Sequence, residues 1–353
     1  MQTERANLLA CLKYTVSSNQ LPRTLNLTNA LTSQLRLHGP WIQIQQRRTV
    51  AAHTIGDRNA EAFALKDLGP AEYLADDYST AAELLHRALE NFGDIGGPSR
   101  EASALRTLAR AWYLAGSYPA ALDALERVRA LYREIGDRVG EAVTLNNLGW
   151  LRHTTGHYSA AAELIQQALE IHRDIGNRTG EASALNHLGR ITYLTGDYST
   201  ATDLLQQALE IYESIGNRTG EAEALGNLGW LRYLTSDYPA ATDLLQHALS
   251  IYRVIGHRSG ETEVLNRIGA LTTRSGDPRH ALTTYDEALR LARRIQNPLE
   301  QARALEGSAR CRVCLGDPVA AKADLREAVK LYRQIEAAET GSAASYLATL
   351  ELT

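Results

Sequence analysis

The chain has 353 residues, 22% of them charged, and a net charge of −4 at pH 7, which excludes the overall positive charge of a nucleic-acid coat protein. Its three cysteines, Cys11, Cys311 and Cys314, are too few for a disulfide framework and fit a reducing compartment. No apolar run approaches membrane length and no basic-then-apolar leader opens the chain, so a cytoplasmic protein without a membrane partner is expected.

Three helices are expected first. Leu8, Leu9, Leu12 and Val16 share a face over 2–19; a second helix covers 22–37, and a third runs from Pro40 to about Ile55. Pro40 suits a first helical position, where its missing N–H costs nothing. From Gly56-Asp57-Arg58 a period takes hold. The junction returns as Gly136-Asp137-Arg138, Gly176-Asn177-Arg178, Gly216-Asn217-Arg218 and Gly256-His257-Arg258, forty residues apart. Each Gly follows an apolar helix end, where a left-handed residue closes the last turn. Each junction also leads into a Glu (Glu61, Glu141, Glu181, Glu221, Glu261), an acid that suits the first turn of a helix.

Within the unit from Arg178 to Asn217, Leu185, Leu188 and Ile191 recur at helical spacing. After Gly196-Asp197-Tyr198 a second helical stripe follows, through Ala201, Leu204, Leu205, Ala208 and Ile211. Two amphipathic helices joined by a tight turn cannot bury their apolar faces alone, but stacked copies can. The sequence thus reads as an all-α solenoid. Residues 1–57 are a degenerate helical cap, 58–337 are seven forty-residue units starting near 58, 98, 138, 178, 218, 258 and 298, and 338–353 are a closing helix.

The units resemble tetratricopeptide repeats in a forty-residue form. The resemblance rests on the Leu-Gly pairs at 148–149, 188–189 and 228–229, on Gly-Asp-Tyr at 196–198, and on the small residues Ala201 and Ala208 with Leu205 between them. It implies a right-handed superhelix of antiparallel helix pairs whose concave groove holds peptides. A shorter resemblance, carried by residues 4–10 (Glu4 to Ala10) and Gly39-Pro40-Trp41, is to the entry of the repeat region in actinobacterial AfsR-type regulators. In those an NB-ARC nucleotide-binding switch precedes the repeats. Without a GxxxxGK[ST] loop, this chain is read as either the sensor arm of such a regulator or a stand-alone relative. An NB-ARC domain in the same or another chain is then an implied partner.

In family terms the varying face of the first helix lines the groove. Its first row contains Lys66, Arg106, Asn146, Asn186 and Asn266; the next holds Arg110, Trp150, Arg190 and Trp230; a third adds Tyr193 and Tyr233. Mid-helix Asn offers a donor and an acceptor to a peptide backbone, and Trp and Arg are residue types enriched at binding hot spots. Arg can hold a carboxylate through two parallel bonds, so the N-terminal half of the groove is expected to favour acidic or C-terminal carboxylate ligands, a bias that Glu223, Glu263 and Glu306 weaken further along. These side chains are expected to face an open trough, so that truncating Asn186 and Arg190 abolishes binding at little cost in stability.

A self-associating module whose end helices build a homo-oligomer is the alternative. Nucleic-acid binding along Lys66, Arg106, Arg110 and Arg190 is disfavoured by the net charge. Neither the single Cys311-x-x-Cys314 pair nor His153 with His157 forms a full metal set, and no nucleophile sits in a Gly-x-Ser-x-Gly setting. A non-enzymatic protein with no cofactor and no metal is expected.

Overall fold

In the computed structural model, residues 49–58, 60–65, 78–92 and 97–352 are described. The helices expected over 2–19 and 22–37, the segments at 4–10 and 39–41, and Lys66 fall outside them. Of the third expected helix, residues 49–55 are described and those from 49 to 55 are helical.

No strand occurs among the described residues. The fold is the expected all-α solenoid of antiparallel helix pairs, in two compact units. One takes in the described residues up to Trp112 together with Asp123–Ile135. It contains α1 (Tyr78–Phe92) and most of α2 (Gly97–Leu114) and α3 (Tyr118–Glu134). Its core sets Ala62, Leu65, Ala88 and Ala104 together, and Ala102 with Val128, Leu131 and Tyr132.

The second unit combines Tyr113–Leu122 with Gly136–Thr353. Its helix pairs are α4 (Arg138–Thr154) with α5 (Tyr158–Asp174), α6 (Arg178–Leu194) with α7 (Tyr198–Ser214), α8 (Arg218–Leu234) with α9 (Tyr238–Ile255), and α10 (Arg258–Arg274) with α11 (Pro278–Arg294). Then come α12 (Pro298–Cys314), α13 (Pro318–Gln334) and the closing α14 (Thr340–Glu351). The starts at 138, 178, 218, 258 and 298 coincide with the forty-residue period.

The junction chemistry sets those starts. Gly136, Gly176, Gly216 and Gly256 have φ between 66° and 71°, the left-handed conformation that closes a helix without a Cβ penalty. The next residue caps the following helix: the side chains of Asp137, Asn177, Asn217 and His257 accept from the amides of Gly140, Gly180, Gly220 and Gly260. Such a cap satisfies one of the donors that a helix start leaves unpaired. Glu181, Glu221 and Glu261 lie in the first turn and pair with Arg178, Arg218 and Arg258.

The repeating glycines inside the helices have a different cause. A Cβ on Gly189 would lie 2.7 Å from Cγ of Leu205, and one on Gly220 would lie 2.2 Å from the Tyr212 ring. Leu205 beneath Gly189, Ile165 beneath Gly149 and Leu245 beneath Gly229 are all fully buried. The small residue lets the paired helix approach until its large side chain fills the space, which is how a two-helix layer reaches interior packing density.

Successive layers rotate so that the second unit meets itself. The amide of Ala338, between α13 and α14, donates to the carbonyl of Thr154 at the end of α4, 3.2 Å away. Gly116 abuts Ile335 and Pro298, where a Cβ would come within 2.5 and 2.8 Å.

Candidate functional site

The first helices of the repeats in the second unit, with α13 and α14, enclose a channel of about 620 Å³. Tyr158, Tyr193, Trp230, Tyr233 and Tyr285 supply aromatic walls. Four arginines (Arg190, Arg267, Arg303, Arg310) and four glutamates (Glu263, Glu300, Glu306, Glu339) supply the charges. The periodicity that makes each helix also stacks these residues, because positions forty apart fall on successive layers of one face.

The charges are matched inside the protein. Arg190 on α6 donates Nη1–H to Oε1 of Glu263 on α10 at 2.6 Å, and Arg267, one turn beyond Glu263, donates to the same oxygen at 2.7 Å. Arg267 also donates to Oδ1 of Asn227 at 2.9 Å, and Asn227 donates to Oδ1 of Asn186 at 3.0 Å. Burial alone would raise the Glu263 carboxyl, but the Arg190 and Arg267 guanidiniums outweigh it and hold the group well below the usual carboxylate range. Further along, Arg303 binds Glu300 at 2.8 Å and Glu339 beyond it, and Arg310 binds Glu306 at 2.7 Å.

Trp150 anchors one end. Its indole N–H donates to the hydroxyl of Tyr113 at 2.7 Å. The rings of His153 and His187 stack on it with centroids 4.8 Å away, and the Arg190 guanidinium lies 4.5 Å over its face, a cation–π arrangement. Neither ring nitrogen of His153 has a hydrogen-bond partner. Burial, reinforced by Arg190, Arg303 and His187, pushes this imidazole down to about 2. Its folded value lies below the unfolded one, so the unfolded chain takes up a proton below pH 6.5 that the folded protein refuses. Stability is therefore expected to fall with pH from 6.5 downward, by up to about 1.4 kcal/mol per pH unit. Burial lowers His172 as well, which adds in the same direction. Denaturant titrations at pH 7 and pH 5 should show this loss, and His153→Phe should remove the larger part of it.

The expected groove residues divide accordingly. Arg190, Tyr193, Trp230, Tyr233 and Asn266 line the channel, while Trp150 lines a cleft of about 60 Å³ with Arg190 and Arg303. Asn186 is corrected: it has no exposed surface and is sealed between α6 and α8 by its bond from Asn227. Asn146 is likewise buried at 5% exposure, and Asn266 spends its amide on the backbone and side-chain oxygens of Glu300. Asn186 and Asn266 therefore tie layers together instead of offering a ladder to a peptide, and Asn146 is buried with its Oδ1 unpaired. Arg190 is also corrected. At 7% exposure it holds Glu263 and Trp150 and is not an open grip for a ligand. Arg106 and Arg110 belong to the first unit.

The glutamates of the site were legible in part: Glu223, Glu263 and Glu306 fall on the groove face by count, whereas the pairing of Glu300 and Glu339 with Arg303 does not follow from it. Glu223, Glu263 and Arg303 occupy one row of consecutive repeats, one turn before the Asn row, and Glu300 stands where Gly140, Gly180, Gly220 and Gly260 repeat. That break in an otherwise constant position was the available signal. Of the Cys pair, Cys311 is buried against Thr273 and Cys314 is exposed. His157 lies at the start of α5, away from any second ligand set, and among the described residues no group of three metal-ligating side chains occurs. No described helix is long and apolar enough to cross a membrane.

Three segments of the chain, 100–174, 180–253 and 261–334, match the tetratricopeptide repeat family model. None of the curated protein sequences matches. Among solved structures, the Rap conjugation gene regulator of plasmid pLS20 in complex with the Phr* peptide superposes with a TM-score of 0.72 at 14% identity, over 94% of this chain and 95% of that one. A Rap protein complexed with Competence and Sporulation Factor gives 0.62 at 13% identity, over 95% and 97%. A signal transduction ATPase (STAND) with a tetratricopeptide repeat sensor from Pyrococcus horikoshii gives 0.50 at 17% identity, over 97% of this chain and 51% of that one. At these identities the likeness is one of fold.

Proposed function

Because this chain belongs to the tetratricopeptide repeat family, we propose that it is a non-enzymatic scaffold that binds a peptide, or an extended segment of a partner protein, in the channel of its second unit. The observation that carries the reading is the channel itself: about 620 Å³ walled by Tyr193, Trp230 and Tyr233 and studded with ion pairs. Trp230 and Tyr233 stack with centroids 4.6 Å apart, and Trp230 is half-buried. Such a shelf offers rigid, amphipathic contact area at little entropic cost, and ligand sites are concave and aromatic for that reason. The pLS20 regulator, which shares the fold, was solved with a peptide.

The scaffold acts, in this reading, in the cytoplasm as the sensing arm of a regulator, with a nucleotide-binding switch in the same or another chain. The solved ATPase with a repeat sensor supports that arrangement. With four arginines matched by four glutamates, the channel carries no net charge to attract an acidic ligand from a distance. An acidic preference has to come from local exchange at one arginine.

Binding to an array of decapeptides tests the reading. Trp230→Ala with Tyr233→Ala should weaken every peptide that the parent chain captures by about tenfold or more, roughly 1.4 kcal/mol or above, with the melting transition retained. Unchanged capture by a folded double variant would place the ligand elsewhere.

A further inference from the structure

This inference rests on the peptide-binding reading and concerns one edge of the same channel. Between α13 and α14 the chain passes through Glu336, whose φ of 52° is left-handed for a non-glycine residue. At the other helix junctions described, the backbone hydrogen bonds join residues two to five apart; here the Ala338 amide reaches across to Thr154. The next residue, Glu339, places its carboxylate in the fork of Arg303, which donates from Nε at 3.0 Å and from Nη2. Both bonds go to the single oxygen Oε1, so the fork already holds a charged acceptor of the kind a ligand carboxylate would supply. Arg303 and Glu339 keep 25% and 29% of their side-chain surface, so the pair is reachable from the channel. Arg303 is meanwhile fixed from behind by Glu300 at 2.8 Å.

We propose that the 336–339 turn is a built-in stand-in for the ligand. Glu339 occupies a carboxylate subsite on Arg303, and a bound peptide's carboxylate displaces it, releasing the Ala338–Thr154 tie. The charge count selects the ligand class. Arg190, Arg267 and Arg303 are balanced by Glu263, Glu300 and Glu339, and exchanging one carboxylate for another keeps that balance. A neutral ligand displacing Glu339 leaves a guanidinium short of a partner in a largely desolvated site, at a heavy cost. The subsite thus supplies locally the acidic selectivity that the channel as a whole lacks.

The experiment uses the full chain and three labelled decapeptide pools: one with free C-termini and no Asp or Glu, one amidated with Asp and Glu, and one amidated with neither. Glu339→Gln should bind one or both carboxylate pools about tenfold more tightly than the parent, and the neutral pool no better. The favoured pool identifies a terminal or a side-chain carboxylate as the group received. Peptide binding should also release protection of the Ala338 amide in hydrogen exchange.

A second arm tests the strap without touching the charges. A Cβ on Gly156 would lie 3.3 Å from that of Ala338, close to the separation in a disulfide. Gly156→Cys with Ala338→Cys, in a chain whose native cysteines are replaced by Ala, should close on oxidation. It should then lose about tenfold in affinity for the carboxylate pools, restored on reduction. If parent and Glu339→Gln bind all pools alike, or Gln strengthens the neutral pool equally, the subsite is refuted while the scaffold reading stands. If no form binds any pool, both fall. Should Glu339→Gln fail to fold by circular dichroism, the cross-linked pair decides the matter alone.

Discussion

Arg190→Ala is expected to destabilise the second unit by about 3–5 kcal/mol, the range for removing one partner of a buried ion pair. Arg190 is 7% exposed, its guanidinium donates to Glu263 at 2.6 Å and lies over Trp150 at 4.5 Å. Its loss leaves Glu263 dependent on Arg267 alone and takes the cation from the indole face. Lys at this position keeps the charge but loses the planar fork that meets a carboxylate and a ring together, so an intermediate loss is expected. Removing both charges, as Arg190→Met with Glu263→Leu, strands Arg267 with only the neutral Asn227 oxygen, so less stability should be recovered than for an isolated buried pair. Urea titrations of Arg190→Met, Glu263→Leu and their combination form the cycle. A loss below about 1 kcal/mol for Arg190→Ala, the size of an exposed pair, would show that the side chain is solvated and the channel open at this point.

Leu205→Ala should cost about 2–5 kcal/mol, because Leu205 is fully buried and fills the notch left by Gly189 on the facing helix. Gly189→Ala should cost about 1–3 kcal/mol by overpacking, its new Cβ falling 2.7 Å from Leu205 Cγ and 3.3 Å from the Ala201 carbonyl oxygen. The two changes meet in one space, so their combination should cost less than the sum. Thermal and urea melts of the three variants measure the coupling. Strict additivity would mean that the notch and the side chain do not depend on each other, and the account of the Leu-Gly pair would be wrong.

The repeats were legible because their causes are local. A helix needs an apolar stripe, a cap and a stop, and each lies within a few residues: Leu185 and Leu188 for the stripe, Asn177 for the cap, Gly176 for the stop that precedes it. The candidate site was legible only in outline. Trp230, Tyr233 and Tyr193 could be placed on one varying face by counting in forties, and all three line the channel. The same counting placed Asn186 on that face, yet Asn227 on the next layer closes over it. Whether a polar side chain at a layer's edge meets solvent or its neighbour depends on the rotation between layers, and no repeat states that rotation in its own residues.

The sequence by itself determined the secondary structure, the forty-residue register and the residues that pack each helix pair, since short-range sterics and hydrophobic periodicity need no knowledge of distant chain. Tertiary structure alone decided the pairing of Arg190 with Glu263, 73 residues away, and of Ala338 with Thr154, 184 residues away. Small rotations accumulate over successive layers until the unit meets itself. That accumulated angle turns Arg190, an apparent ligand-binding arginine, into half of an internal salt bridge and leaves the aromatic shelf beside it facing the channel.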